Sequence, residues 1–348
     1  MKTYRVVELL GDGISAELSR SVHTVAEALP CSIEFVPVDL SEENRRKRGM
    51  PLYDEAVVAM RQTGVAIKYP TATTPAAGAS KGESPNKVLR DRCRFAVIHR
   101  PVCTIPAIQT NFKKSIDIDV VRIATGGTYE DAGRRIGRDT AVSLRVIERA
   151  PCRFAARFAF KLAMLRKSSV VSTSKYTIQR ETDGLFEEAV GRVAEDYPAV
   201  PFRRELFDSL LAGLVMNPER YAVIVCPNEY GDFLSDMACG LIGSVGLGDS
   251  SSYAFDDEGK ITLAMFDPAG GTAPDIAGKD LANPTAALLS LANLLRHLGE
   301  VELGARLRAA VLATISAGRG TRDVGGSSST SAFTAEVARA MQADPVRV

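Results

Sequence analysis

The chain has 348 residues, of which 45% are hydrophobic and 24% charged, a composition typical of a globular protein. Its 43 Lys and Arg residues balance 42 Asp and Glu residues, so we expect no nucleic-acid partner, which would select a basic surface. No run of about 20 apolar residues is present and the start is not typical of a signal peptide, so we expect a cytoplasmic protein with no membrane partner.

Short apolar strands alternate with amphipathic helices along the chain, which predicts an α/β fold. The expected strands are residues 4–10, 32–38, 65–68, 94–100, 116–123, 169–171 and 221–226. The expected helices are residues 15–28, 55–62, 141–166 with a break or kink at Pro151, 182–197, a stretch within 202–217, 233–242, 284–298, 300–315 and one after the Gly/Ser-rich segment 318–331. Residues 71–86, rich in Thr, Pro, Ala, Gly and Ser, predict a loop of functional importance.

The six cysteines are scattered and include no CxxC pair, which favours buried, reduced thiols. The three histidines are too dispersed to predict a zinc site, so oxygen ligands are the expected ones for any metal. Asp232 and Asp236 are four residues apart at the start of a predicted helix and therefore project from one face, with Asp208 on the preceding helical stretch. Carboxylates that converge in this way repel one another unless a hard cation such as Mg²⁺ or Mn²⁺ lies between them.

Several ordered motifs resemble the isocitrate/isopropylmalate dehydrogenase family over nearly the whole chain. They are GDGIS from Gly11, SPNKVLRDRCRFAVIHRPV from Ser84, VRIATGGTYED from Val121, NPERYAVIVCPNEYGDFLSDMACGLIGSVGLG from Asn217, GGTAPDIAGKDLANPTA from Gly270 and TRDVGGSSSTSAFT from Thr321. The resemblance implies a two-domain α/β fold with central sheets flanked by helices. Residues 1–98 and 254–348 would form a large cofactor-binding domain, and residues 99–253 a small domain that carries substrate, metal and dimerisation elements.

The resemblance also implies the chemistry: NAD-dependent oxidation and decarboxylation of a 3-substituted malate in a homodimer with shared active sites. Lys175, from the partner subunit, would assist removal of the hydroxyl proton, and Tyr129 would deliver a proton to C3. The metal ligands would be Asp232, Asp236 and a partner's Asp208. The substrate-binding residues would be Ser84, Asn86, Arg90, Arg100 and Arg122, because guanidinium groups bind carboxylates bidentately.

The expected cofactor residues are Thr74, Gly271, Thr272, Ala273, Pro274, Asp275, Ile276 and Asn283. Glycines and proline permit close backbone approach to a dinucleotide. Asp275 offers a carboxylate to the adenosine ribose and would repel a 2′-phosphate, which favours NAD over NADP by the logic of Rossmann enzymes.

Two questions stay open at this point. The Ser-x-Asn pattern at Ser84 and Asn86 is similar to that of isocitrate enzymes and favours an anionic C3 substituent, yet Ser84 is also a candidate helix cap, and Lys81 on a longer loop is compatible with a phosphonate. The departures Ile123, Gly270, Asp267 and Ser174 indicate a specialised enzyme, for example one acting on a phosphonate, homoisocitrate or isopropylmalate analogue. The alternative is a non-catalytic regulatory subunit of a heteromeric dehydrogenase, which would tend to lose the Tyr, the Lys or a metal Asp that this chain retains.

Overall fold

The computed structural model describes residues 2–73 and 84–342. The strands in these ranges are β1 Thr3–Leu10, β2 Ser32–Asp39, β3 Val65–Lys68, β4 Phe95–Cys103, β5 Asp117–Ile123, β6 Arg134–Ile136, β7 Thr140–Val142, β8 Val170–Ser174, β9 Phe202–Leu206, β10 Val223–Cys226, β11 Asp249–Phe255 and β12 Ile261–Pro268. The α-helices are α1 Ser15–Glu27, α2 Glu42–Arg48, α3 Met50–Thr63, α4 Pro85–Cys93, α5 Arg149–Arg166, α6 Thr182–Ala194, α7 Phe207–Met216, α8 Asn228–Ile242, α9 Thr285–His297, α10 Val301–Ser316 and α11 Thr330–Gln342.

One sheet runs through the molecule in the order β2-β1-β3-β12-β11-β4-β5-β10-β8-β9, and β6 and β7 form a separate hairpin. In this order, neighbouring strands from β2 to β12 and from β5 to β9 are parallel. Between them, β11 is antiparallel to both β12 and β4, and β4 is antiparallel to β5. Helices cover this mixed sheet, so the predicted α/β class with a central sheet flanked by helices is confirmed.

Both faces of the sheet are buried, as the near-continuous apolar runs of its strands predict. In β1, Val6 belongs to a large core cluster together with side chains of α1 and α7 to α11, whereas its neighbour Val7 packs on the opposite face with α3 and α4. A third cluster on that opposite face joins α5 and α6 to β4, β5, β8 and β10. The central strands therefore have little freedom to move relative to their covering helices.

The predicted helix over 141–166 is wrong in its first turns. Residues 140–142 are β7, and α5 begins at Arg149, so Pro151 lies in the first turn rather than at a kink. Proline is tolerated there because the first N–H groups of a helix have no intrahelical partner. The predicted loop is also too long at its end, because α4 begins at Pro85.

The proposed domain boundary passes through β4 and β11, which pair with each other, so the division into domains stays a prediction. Five of the six free cysteines are buried as expected, whereas Cys103 at the end of β4 is exposed. Among the described residues, no helix combines the length and apolar character that crossing a membrane requires.

Candidate active site

The site forms where β5 and β10 end side by side. Cys226 of β10 pairs in register with Arg122 of β5, and α8 begins two residues later. A Cβ atom at Gly231 in the first turns of α8 would lie 2.6 Å from Cβ of Arg122, so only glycine allows the helix to approach this closely. Arg122 Nε donates to Oδ1 of Asn228 over 2.9 Å, which fixes the guanidinium against the helix.

A cleft of about 810 Å³ opens at this edge. Its lining includes all five predicted substrate residues, two of the three predicted metal ligands and one of the two predicted proton-transfer residues: Ser84, Asn86, Arg90, Arg100, Arg122, Asp232, Asp236 and Tyr129. Residues from β4, β5, α4, α8 and the loop after β5 thus converge on one space, and the three arginines among them can bind carboxylate groups.

Arginines and aspartates pair directly inside the cleft. Arg100 Nη1 lies 3.2 Å from Oδ1 of Asp232 and 3.1 Å from Oδ1 of Asp236, and Arg122 Nη1 also contacts Oδ1 of Asp232. Burial, together with the charges of Arg90 and Arg100, lowers the pKa of Arg122 to about 9, which leaves it positively charged at neutral pH. Burial and Arg100 also lower the pKa of Arg90.

The pKa values of the two aspartates are shifted in opposite directions. Burial acts to raise the pKa of Asp232, but the charges of Arg122, Arg100 and Arg90 outweigh it and leave the pKa below its ordinary value. Burial raises the pKa of Asp236, and the neighbouring carboxylate of Asp232 adds to this shift. A second positive group near Asp236 would therefore stabilise the ionised pair.

These two carboxylates fit part of a divalent-cation site. Both Oδ1 atoms reach the same nitrogen of Arg100, which shows that they approach one point, and carboxylate oxygens suit Mg²⁺ or Mn²⁺. Within residues 2–73 and 84–342, no group of three or more His, Cys, Asp or Glu side chains surrounds one point. One chain would thus supply two carboxylates, and a complete site would draw other oxygen ligands from a second subunit, the substrate or water.

Asp208 and Lys175 lie together but do not line the cleft. Lys175 Nζ is 2.8 Å from Oδ1 of Asp208, and 67% of the Asp208 side chain is exposed. The hydrogen bond from Lys175 lowers the pKa of the Asp208 carboxyl. Within one chain they form an exposed pair, as a contribution to another subunit's site would require.

Tyr129 lines the cleft with its hydroxyl beside Asp232. Its hydroxyl donates to Oδ2 of Asp232 over 3.2 Å, and the guanidinium of Arg122 lies 6.0 Å from the centre of its ring. Burial and the Asp232 carboxylate raise the pKa of Tyr129, so the hydroxyl keeps its proton at neutral pH.

The predicted cofactor loop is anchored by the turn that opens the chain. Ile14 N donates to O of Thr272 over 2.9 Å, and a Cβ at Gly13, whose φ is +59°, would lie 1.9 Å from that oxygen. The Glu17 carboxylate accepts from N of Gly278 and N of Asp280. The GDGIS motif therefore supports the loop that carries Gly271, Thr272, Ala273, Pro274, Asp275 and Ile276.

Asn283 is held in place at the other end of this segment. Its Nδ2 donates to Oδ2 of Asp323 over 2.9 Å, and its Oδ1 accepts from N of Thr285 at the start of α9. The side chain of Asp275 is exposed, as a ribose-binding carboxylate should be. Thr74 and Lys81 lie outside the described residues.

Sequence reasoning missed Lys87, which lines the cleft beside Ser84 and Asn86. Its Nζ lies 3.0 Å from Asp91 and 3.3 Å from Glu130; burial opposes its charge, but these carboxylates raise the pKa of Lys87. The four-residue spacing of Lys87 and Asp91 is typical of a helical ion pair, and nothing in the sequence separates that role from a place in the cleft.

Two features near the cleft bear on the substrate question. Ser84 is the N-cap of α4, because its Oγ accepts from N of Lys87 over 3.4 Å, and it also lines the cleft. Asn86 Oδ1 is buried with no hydrogen-bond partner among the described residues. Capping and substrate binding are therefore compatible roles for this motif.

The structure shows the surroundings of three of the four departures from the family pattern. Ile123 packs into the core, and Ser174 is buried with its Oγ donating to Oε1 of Glu187. Burial raises the pKa of Asp267, while Lys68 and Arg90 oppose that shift. Nothing in the structure explains Gly270.

The fold and the cleft together define an α/β protein whose cleft brings three arginines next to a pair of aspartates. The family model for isocitrate/isopropylmalate dehydrogenase matches residues 5–340, and the chain belongs to this family. Members of the family are decarboxylating dehydrogenases of small hydroxy acids.

Individual relatives agree with this assignment. The chain is 34% identical over 340 residues to isocitrate/homoisocitrate dehydrogenase of Thermus thermophilus, covering 97% of this chain and 99% of the relative. It is 34% identical over 331 residues to the mitochondrial isocitrate dehydrogenase [NAD] subunit alpha of Rattus norvegicus, covering 94% and 88%. The crystal structure of isocitrate dehydrogenase from Methylococcus capsulatus superimposes with a TM-score of 0.89 at 30% identity, covering 98% of this chain and 100% of that one.

Proposed function

We propose that this chain is an active NAD-dependent enzyme that oxidises and decarboxylates a 3-substituted malate. The observation that carries the proposal is the convergence of Arg90, Arg100, Arg122, Asp232 and Tyr129 on one cleft. A regulatory subunit has no need for this complete set. When bound, NAD accepts a hydride from C2 and a divalent cation polarises the C2 oxygen.

The residues of the chain divide the remaining work. The arginines bind the substrate carboxylates and orient C2, and Asp232 and Asp236 would hold the cation together with Asp208 of a second subunit. Lys175 of that subunit takes the hydroxyl proton, and the protonated hydroxyl of Tyr129 gives a proton to C3 after CO₂ leaves. NAD is preferred because the exposed Asp275 favours ribose hydroxyls and repels a 2′-phosphate.

The C3 substituent of the substrate is anionic in this proposal, as in isocitrate, homoisocitrate or a phosphonate. The N-cap residue Ser84 lines the cleft together with Asn86 and Lys87 from the start of α4. Ser84 and Asn86 can donate hydrogen bonds there, and Lys87 adds a positive charge. An isopropyl group there would leave each polar group unpaired at a cost of about 1–3 kcal/mol.

The test is NAD reduction by the purified chain alone with Mg²⁺ or Mn²⁺ and a panel of isocitrate, homoisocitrate, a phosphonomethyl analogue and isopropylmalate. We expect an anionic substrate to give the highest kcat/KM, and Ser84→Ala/Asn86→Leu to reduce that preference. NADP should be used at least about tenfold less well, because a misplaced charged hydrogen bond costs about 1.5–3 kcal/mol. Absence of turnover with every compound would favour the regulatory subunit, and isopropylmalate as the best substrate would contradict the anionic substituent.

A further inference from the structure

Behind the cleft, a buried arginine joins segments that carry different parts of the site. Arg145 lies between β7 and α5, and only 9% of its side chain is exposed. Its Nε and Nη2 donate to Oδ1 of Asp183 over 2.9 and 2.7 Å, and its Nη1 forms an ion pair with Glu229. The side chains of Asp183 and Glu229 are 0% and 3% exposed, so one cation stabilises two buried carboxylates.

Asp183 connects this arginine to Lys175. Its second oxygen, Oδ2, accepts from the backbone N of Lys175 over 2.7 Å and from the hydroxyl of Tyr230 over 3.4 Å. The guanidinium of Arg145 also lies 4.9 Å from the centre of the Tyr230 ring. The backbone of the Lys175 segment is therefore fixed through a charged group whose own orientation depends on Arg145.

The same arginine is next to the segment of Tyr129 and the helix of Asp232. Its neighbour Val146 forms a bridge with Gly127, two residues before Tyr129, through N–H···O bonds of 2.6 and 3.1 Å. Glu229 lies in the first turn of α8, three residues before Asp232, and its carboxylate occupies the space that a Cβ at Gly127 would need.

We propose that Arg145 is a positioning residue that fixes the Lys175 segment relative to the first turn of α8 and the Tyr129 loop. It does not line the cleft, so it acts on the reaction through these groups. This inference rests on the proposed function in one respect: in a dimer with shared sites, Lys175 serves the partner's site while Asp232 serves its own. Arg145 would then connect the two active sites through the interior of each subunit.

The test variant is Arg145→Lys, which keeps the positive charge but cannot bind two carboxylates through a planar fork. We expect kcat to fall at least tenfold while KM for the hydroxy acid stays within threefold, because the cleft arginines are unchanged. Arg149→Lys is the matched control, because Arg149 pairs with Glu188 at the surface, and it should retain wild-type kcat. A second variant, Asp183→Asn, leaves Arg145 paired with the carboxylate of Glu229 alone, so the buried charges stay balanced. It should show the same fall in kcat with little change in KM.

A kcat within threefold of wild type in a folded Arg145→Lys or Asp183→Asn variant would overturn the proposal. So would a KM that rises as much as kcat falls, because that would place Arg145 in substrate binding.

Mixed dimers separate this inference from the shared site. A dimer of one Asp232→Asn and one Lys175→Met subunit, purified through two different affinity tags, has one complete site and should keep about half of the wild-type activity. Adding Arg145→Lys to the Asp232→Asn subunit, which donates Lys175, should lower that activity at least tenfold; unchanged activity would refute the positioning role. An inactive parent mixed dimer would instead refute the shared site, and the homodimer kcat and KM would then decide the positioning role alone.

Discussion

At the scale of single residues, the cleft is organised around the carboxylate of Asp232. It contacts Arg100, Arg122 and Tyr129, and it lies one helical turn before Asp236. The arginine charges keep it ionised despite its burial. Near neutral pH its charge is therefore available to the cation of the proposed site.

The first prediction is that Asp232→Asn weakens Mn²⁺ binding. The amide keeps the shape of the side chain but removes the negative charge, and losing a charged interaction of about 2–3 kcal/mol corresponds to roughly 30- to 150-fold in affinity. Isothermal titration of Mn²⁺ into the protein without substrate measures this directly. Asp257→Asn, at an exposed turn, is the control. Equal Mn²⁺ affinity in the wild type and Asp232→Asn would show that the metal is bound elsewhere.

The second prediction separates the two proton-transfer residues. Tyr129→Phe removes the hydroxyl that faces Asp232, so decarboxylation and protonation should slow more than reduction of the 2-oxo intermediate. Lys175→Met should slow both half-reactions. Each is measured by single-turnover kinetics from the corresponding starting compound. Wild-type turnover by Tyr129→Phe would exclude it as the proton donor.

At the scale of secondary-structure elements, periodicity predicted most of the strands and helices, and the misses have physical causes. The strand β11 carries the buried serines Ser250, Ser251 and Ser252, so its sequence lacks the apolar alternation by which strands are recognised. Its antiparallel partner β12 was also missed. The helix α8 was predicted to begin at residue 233, because its polar first turn gives no apolar signal. In the structure it begins at Asn228.

The candidate site was predictable as far as its motifs extend. Each motif lies in one continuous segment, and the arginines and Asp232 were found because these segments resemble the motifs of the family. Arg145 and Glu229 were not found, since their importance arises from an ion pair between segments distant in the sequence. Lys87 was not found because its spacing from Asp91 is also typical of an ion pair on a helix surface, which carries no sign of a cleft.

The third prediction concerns Lys68 at the end of β3. Burial lowers its pKa from 10.5 to about 8, so between these pH values the unfolded chain holds a proton that the folded chain has lost. The free energy of unfolding therefore rises with pH in this window. Below pH 8 the buried Lys68 is charged in the folded chain and destabilises it most. From pH 8 to 10, the free energy of unfolding of the wild type should increase by about 2 kcal/mol relative to Lys68→Met. Denaturant titrations at the two pH values test this, and parallel pH profiles would contradict it.

At the scale of the whole molecule, the position of Lys175 and Asp208 outside the cleft makes a second copy of the chain necessary for the proposed chemistry. The helices α7 and α8 carry exposed apolar side chains, including Met216 at 58% and Phe233 at 56% exposure. Phe233 directly follows Asp232, so a subunit contact at this helix would also bring the partner near the metal ligands.

The fourth prediction is that Phe233→Asp shifts the protein from dimer to monomer. A buried carboxylate without a partner opposes association, and the monomer should lose activity because its sites lack Lys175 and Asp208 of another subunit. Light scattering coupled to size-exclusion chromatography gives the mass. Val301→Asp, 54% exposed on α10, should remain dimeric. A dimer that tolerates Phe233→Asp at low protein concentration would place the subunit contact on another surface.

The strand order also determines when the fold can be completed during synthesis. Val65 of β3 pairs with Ala264 of β12, and Val97 of β4 pairs with Tyr253 of β11. The strands β3 and β4 are therefore synthesised long before these two partner strands. The segment from β5 to β10 contains its own strand partners, so this part of the sheet does not depend on the C-terminal strands. One edge of β3 and one edge of β4 therefore lack a partner until β11 and β12 have been made, and unpaired strand edges favour aggregation.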